Sequence, residues 1–204
     1  MHIQPPRGFS LREFENRTER TQSEMKKLGM KALLLTTEPN VRYFSGFFSQ
    51  FWESPTRPWF LVLPAEGKPI AVIPEIGVAG METTWVEDIR SWPAPRPEDD
   101  GISLLAQCLK DCAKGGSIGM LLGHESHLRM PAGNVKKLMQ LLSGYEISDA
   151  TMMMRAIRNV KSDEEIAKIR YACQVTSDSF ENLPTLLKVG ESERENVKRM
   201  RIDL

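Results

Sequence analysis

The stretch Trp59–Ile73, WFLVLPAEGKPIAVI, places two short apolar runs on either side of Pro-Ala-Glu-Gly-Lys. Runs of Val, Ile, Leu and Phe bounded by Pro and Gly predict two strands joined as a hairpin, with Gly67 in the connection. A hairpin makes its two strands antiparallel. Working outward, Lys31–Thr37 (KALLLTT) reads as a buried strand, Val86–Trp92 as a short one and Ser117–Leu122 (SIGMLL) as another. Tyr145–Asp149 reads as a short strand or extended edge.

Helical patterns fall between these strands. Ser10, with Glu13 three residues on, predicts a capping box opening a first helix. Phe14, Met25 and Leu28 give that helix a partial apolar face, and Gly29 is its expected stop. Glu38–Phe47 predicts a short helix that breaks at Gly46, and Ile76–Thr84 another. Apolar side chains at 102, 105, 109 and 112 predict a helix over Ile102–Ala113, ended by Gly115-Gly116. Pro131–Leu142 reads as a helix with proline in its first turn, and Thr151–Arg158 as a short one. Phe48–Pro58 reads as a long loop carrying Phe51, Trp52, Pro55 and Arg57, and Pro93–Pro97 as a rigid surface linker. The alternation indicates an α/β fold. The hairpin makes its sheet mixed, and helices are expected on both faces.

Composition narrows the function classes. Lys+Arg and Asp+Glu are both 27, so the chain has no basic surplus to neutralise phosphates, and nucleic acid is set aside as a partner. No apolar run approaches the roughly 18–20 residues that span a bilayer, so no membrane partner is expected. The polar N-terminus has no apolar segment for export. Cys108, Cys112 and Cys173 are sparse and odd in number, which suits reduced thiols and a cytoplasmic protein. His2, His124 and His127 are expected at the surface, and the eleven methionines as core fillers.

Beyond residue 160, Lys161–Thr176 (KSDEEIAKIRYACQVT) opens a second strongly marked segment. Ser162 and Glu165 form a capping box, and Asp163 and Glu164 place negative charge at the positive end of the helix dipole. Ile166, Ile169, Cys173, Thr176 and Phe180 make one narrow apolar stripe suited to packing on a neighbouring element. Pro184 predicts a break or kink near Asn182. Ser192 and Glu195 repeat the capping box, and Val197, Met200 and Leu204 share a face of the following helix. The chain stops in mid-helix, which reads as the front part of a longer polypeptide. The alternative is an exposed terminal helix of a complete protein.

Three motifs carry a resemblance to a known family. Asn40-Val-Arg-Tyr-Phe-Ser-Gly-Phe is similar to its Asn-x-x-Tyr-(Leu/Phe)-(Ser/Thr)-Gly-Phe signature. Arg155–Ala172 resembles its junction, in which Arg158, Lys161, Ser162, Glu165, Ile166, Ile169, Arg170 and Ala172 fall at the matching spacings. Val189-Gly-Glu-Ser-Glu is similar to the start of its second domain. The family is the creatinase, prolidase and aminopeptidase P group of pita-bread metallohydrolases. The resemblance spans from about residue 10 to the end of the chain. It implies an N-terminal α/β domain of ribonuclease-H-like layout over residues 1–158. Residues 159–204 would then be a linker helix and the start of the catalytic domain.

The resemblance also implies a site with two divalent metal ions (Mn, Co or Zn), held by Asp, Asp, His, Glu and Glu, which binds the scissile carbonyl and holds a hydroxide. No histidine follows residue 150, and Asp178, Glu181 and Asp203 lie on helices or near breaks. None of this chain's residues is assigned as a catalytic group or metal ligand. Cys108, Cys112, His124 and His127 approximate a zinc spacing, but the cysteines fall in an apolar helical run and a strand separates them from the histidines, which favours buried thiols.

By the same resemblance, the Phe47–Arg57 loop of one subunit reaches the active site of a homodimer partner. Phe51 and Trp52 would wall the substrate pocket and Arg57 would meet a substrate carboxylate. The competing reading packs Trp52 over the hairpin and leaves Arg57 a solvated charge. Tyr43 and Phe44 are expected in the core. The function implied is that of the non-catalytic front of a metal-dependent Xaa-Pro dipeptidase or aminopeptidase. The alternatives are a creatinase-like C–N hydrolase of a small non-peptide substrate, or a peptide-binding module without catalysis.

Overall fold

The two sides of the first strand, β1 (Met30–Leu35), explain why its sequence is apolar without interruption from Ala32 to Leu35. Ala32 and Leu34 are buried in one core, Leu33 and Leu35 in another. A strand covered on both faces needs no polar side. The same division continues in β2 (Phe60–Pro64), with Phe60 and Val62 against Leu61 and Leu63, and in β3 (Ile70–Pro74), with Val72 against Ala71 and Ile73. The computed structural model describes residues 3–54 and 57–203. His2, Pro55 and Leu204 lie outside the described residues.

The sheet has six strands in the order β4-β3-β2-β1-β5-β6, with β4 at Asp88–Trp92, β5 at Ser117–Met120 and β6 at Ile147–Asp149. The expected hairpin is present: β2 and β3 are antiparallel, with Phe60 opposite Val72. β1 also runs antiparallel to β2, with Leu33 opposite Leu63 and Leu35 opposite Leu61. The β1–β5, β5–β6 and β3–β4 pairs are parallel. The sheet is mixed, as the hairpin required.

One face is covered by α1 (Leu11–Lys27), α2 (Glu38–Ser45) and α6 (Thr151–Asn159), which bring Met25, Val41, Tyr43, Phe44, Met153, Met154 and Ile157 into the core. The short α3 (Val78–Met81) adds Met81. The other face is covered by α4 (Ile102–Ala113) and α5 (Ala132–Leu141) through Ile102, Leu105, Leu109 and Leu138. Each fully buried side chain of this size contributes roughly 1.5–3 kcal/mol. Gly46 ends α2 in the left-handed region at φ 74°, where glycine has no Cβ to strain.

Local chemistry differs from expectation at several ends. Ser10 caps α1 by accepting from the Glu13 amide at 3.2 Å, but the Glu13 carboxylate accepts from Arg17 Nε at 2.8 Å. Leu28 is 54% exposed at the C-cap, one residue past the end of α1, although Met25 in the helix's last turn is fully buried. The segment expected as one helix from Ile76 is a 3-10 turn at Glu75–Gly77 followed by one turn of α3. Pro131 is the N-cap of α5 and not within its first turn.

The residues divide into two compact units, Phe9–Asn159 and the N-terminal residues through Gly8 together with Val160 onward. The second unit is built on α7 (Asp163–Leu186) and α8 (Glu193–Asp203). Both of its capping boxes form, at Ser162–Glu165 and Ser192–Glu195. Helix α7 runs through Pro184 to Leu186, because a proline so near the C-terminus removes a single hydrogen bond of the last turn. Its stripe of Ile166, Ile169, Cys173, Thr176 and Phe180 is exposed. Replacing Ser162 with alanine should cost α7 about 1 kcal/mol, read as a lower unfolding midpoint for this helix by circular dichroism; an unchanged midpoint would show that the cap is idle. Among the described residues no helix is long and apolar enough to cross a membrane.

Candidate functional site

The loop between α2 and β2 owes its shape to one short turn and one cation. Ser49 starts a 3-10 turn over Gln50–Glu53 by accepting from the Phe51 amide at 3.2 Å. That turn lays Phe51 and Trp52 on Trp59, with ring centroids 6.1 and 5.9 Å away, while Phe47 approaches the same ring at 5.4 Å. Trp59 is fully buried and Trp52 is 7% exposed, so the loop folds its largest side chain onto the hairpin. Phe51 is half-buried at the edge.

Arg129 closes the arrangement from the segment between β5 and α5. Its Nη1 donates to the Arg57 carbonyl at 2.6 Å and its Nη2 to the carbonyls of Trp52, at 3.1 Å, and of Ser54. Its guanidinium lies 4.9 Å from a ring centroid of Trp52. The Arg129 amide donates to Thr36 Oγ1 at 3.0 Å, which ties this segment to the end of β1. Burial lowers the proton affinity of the guanidinium, and the charge of Glu38 opposes that shift.

Of the three residues expected to shape a pocket, Phe51 and Trp52 are brought together on Trp59, and Arg57 stands on the opposite limb of the loop. Among the described residues nothing pairs with the Arg57 guanidinium, which is half-buried. The outward surface of the loop is completed by Phe48, 64% exposed, with the Arg42 guanidinium 4.6 Å from its ring centroid. A ring edge beside the Arg42 cation suits a ligand that carries both an apolar group and a carboxylate. Tyr43 and Phe44 are buried, as expected of core residues. Sequence reasoning missed Arg129: it lies 72 residues from Arg57 in the chain, and no spacing or motif marks it.

Among the described residues, no three His, Cys, Asp or Glu side chains come together in a way that could hold a metal ion. Cys108 and Cys112 lie one turn apart on α4, while His124 and His127 are exposed beyond β5, so the zinc-like spacing does not converge. The Cys112 sulfur and burial together push the Cys108 thiol up, keeping it protonated. Cys108 should resist iodoacetamide in the folded chain while the exposed Cys173 alkylates. Mass spectrometry of the labelled peptides checks this, and rapid native labelling of Cys108 would refute it. Cys112 opens onto a cleft of about 990 Å³ at the hairpin end of the sheet. Charges in that cleft are largely paired, Arg90 with Asp111 and Asp88, and Lys68 with Glu87.

The family model described as the Creatinase/Prolidase N-terminal domain matches residues 17–160. An uncharacterized peptidase of Staphylococcus aureus is 28% identical over 173 residues, which cover 83% of this chain and 44% of the relative. The crystal structure of a prolidase from Thermococcus sibiricus superposes on 96% of this chain and 50% of its own, with a TM-score of 0.76 at 21% identity. An Xaa-Pro dipeptidase from Bacillus anthracis matches over 93% of this chain and 48% of its own, with a TM-score of 0.71 at 17% identity. The chain thus spans about half the length of the relatives it matches. The model match covers most of the chain, the mixed sheet and its covering helices are those of the solved neighbours, and the chain belongs to the Creatinase/Prolidase N-terminal domain family.

Proposed function

We propose that this chain is the N-terminal, non-catalytic portion of a cytoplasmic, metal-dependent hydrolase that cleaves Xaa-Pro peptides as a dipeptidase or aminopeptidase. In this reading the protein is a homodimer, and the Phe47–Arg57 loop of one subunit borders the substrate pocket of its partner. Two divalent metal ions belong to the catalytic domain, which follows this one. Phe51 and Trp52 supply an apolar wall, with Trp52 backing it from its buried seat on Trp59. Arg57 supplies a cation for the substrate carboxylate.

The observation that carries the proposal is the match to prolidase structures along nearly the whole chain, over about half of their length. The outward chemistry of the loop, Phe48 beside the Arg42 guanidinium and an Arg57 guanidinium with no partner among the described residues, supports the placement at a pocket. The full-length protein with Mn²⁺ or Co²⁺ should hydrolyse Xaa-Pro dipeptides, and residues 1–204 alone should not. Arg57→Ala in the full-length protein should raise KM about tenfold or more, the loss of one charge-assisted hydrogen bond. Absence of any metal-dependent C–N bond cleavage by the full-length protein would overturn the proposal.

A further inference from the structure

Among the described residues of the loop between Gly46 and Pro58, the regular structure is a 3-10 turn over Gln50–Glu53. This turn satisfies the amides of Trp52, bonded to Ser49 O at 3.2 Å, and of Ser54, bonded to Phe51 O at 3.3 Å. The carbonyls of Trp52, Ser54 and Arg57 find their donors on Arg129. A buried or half-buried carbonyl needs a donor, and here one guanidinium serves three of them, on both limbs of the loop. Its planar fork of donors can do this, and its face can rest on Trp52 at the same time. The Arg129 amide is held by Thr36 at the end of β1, and the neighbouring Met130 is buried. The sheet thereby sets the position of Arg129, and Arg129 sets the position of the loop.

We propose that Arg129 is the positioning residue of this loop: it fixes where Phe51 and Arg57 stand. Its effect on substrate rests on the reading that the loop borders a pocket; its effect on the loop does not. Lysine at this position would keep the charge beside Trp52, but its compact ammonium cannot span both limbs.

Hydrogen exchange on residues 1–204 tests the clamp without any catalysis. In both Arg129→Ala and Arg129→Lys, the Trp52 and Ser54 amides should exchange at least about tenfold faster, while the β1 and β2 amides keep wild-type protection. Guanidinium chloride at about 20 mM, far below denaturing concentrations, should restore part of that protection in Arg129→Ala and none in wild type. Unchanged exchange at Trp52 and Ser54 would overturn the proposal, and so would acceleration spread evenly over the sheet, which would mark a general packing role. In the full-length protein, the same variants should raise KM for an Xaa-Pro dipeptide while kcat stays within about twofold. A loosened loop with unchanged KM would leave the clamp standing and remove the loop from the pocket.

Discussion

Arg17→Met should lower the unfolding free energy by about 3–5 kcal/mol, a large part of the 5–15 kcal/mol typical of a domain. Arg17 is 2% exposed on α1. Its Nε donates to the Glu13 carboxylate at 2.8 Å and its Nη1 to the Tyr43 carbonyl at 2.9 Å, which ties α1 to α2. Its guanidinium lies 4.0 Å from the ring centroid of Phe9 and 4.3 Å from that of Tyr43. Methionine fills much of the same space but leaves the buried Glu13 carboxylate without its cation. That uncompensated charge is the main cost, so the double variant Arg17→Met with Glu13→Leu should recover most of the loss. Urea denaturation at constant m-value measures both. A loss below about 1 kcal/mol for the single variant, or a double variant no better than it, would show that the uncompensated Glu13 charge is not the main cost.

Trp59→Ala should cost about 3–5 kcal/mol, the usual price of removing a large buried aromatic side chain. The ring is fully buried, with Phe47, Phe51 and Trp52 packed around it. Gly77 lies against it so closely that a Cβ there would sit 2.1 Å from the indole. The cavity left by alanine cannot close without moving both the loop and the Glu75–Gly77 turn. Trp59→Phe should lose much less, because the indole N–H has no hydrogen-bond partner among the described residues, so nothing polar is forfeited. Thermal unfolding compares the two. Near-equal losses for phenylalanine and alanine would mean that ring volume is not the controlling factor.

How far the sequence reached can be traced through particular residues. The strand at Lys31–Thr37 was legible as buried because its run of leucines is unbroken, and Ser162 with Glu165 because a capping box is complete within four consecutive residues. The mixed α/β sheet followed from such local patterns, and the family from short motifs. The helix ends were less legible: Pro184 reads as a break from its own chemistry, yet α7 continues through it, because one missing hydrogen bond in a last turn is a small loss.

The loop shows the other side. Its aromatic residues and Arg57 were visible as a candidate surface, but which of them turns inward was settled by Trp59, whose ring collects Phe47, Phe51 and Trp52. The cation that holds both limbs, Arg129, comes from beyond β5 and carries no local signature. Hydrophobic period and capping act between neighbours in the chain, so the sequence alone determined the strands, most helices and the class of sheet. The partners of a buried carbonyl or ring are chosen by whichever distant segment the sheet order brings alongside, and only the tertiary structure decided that.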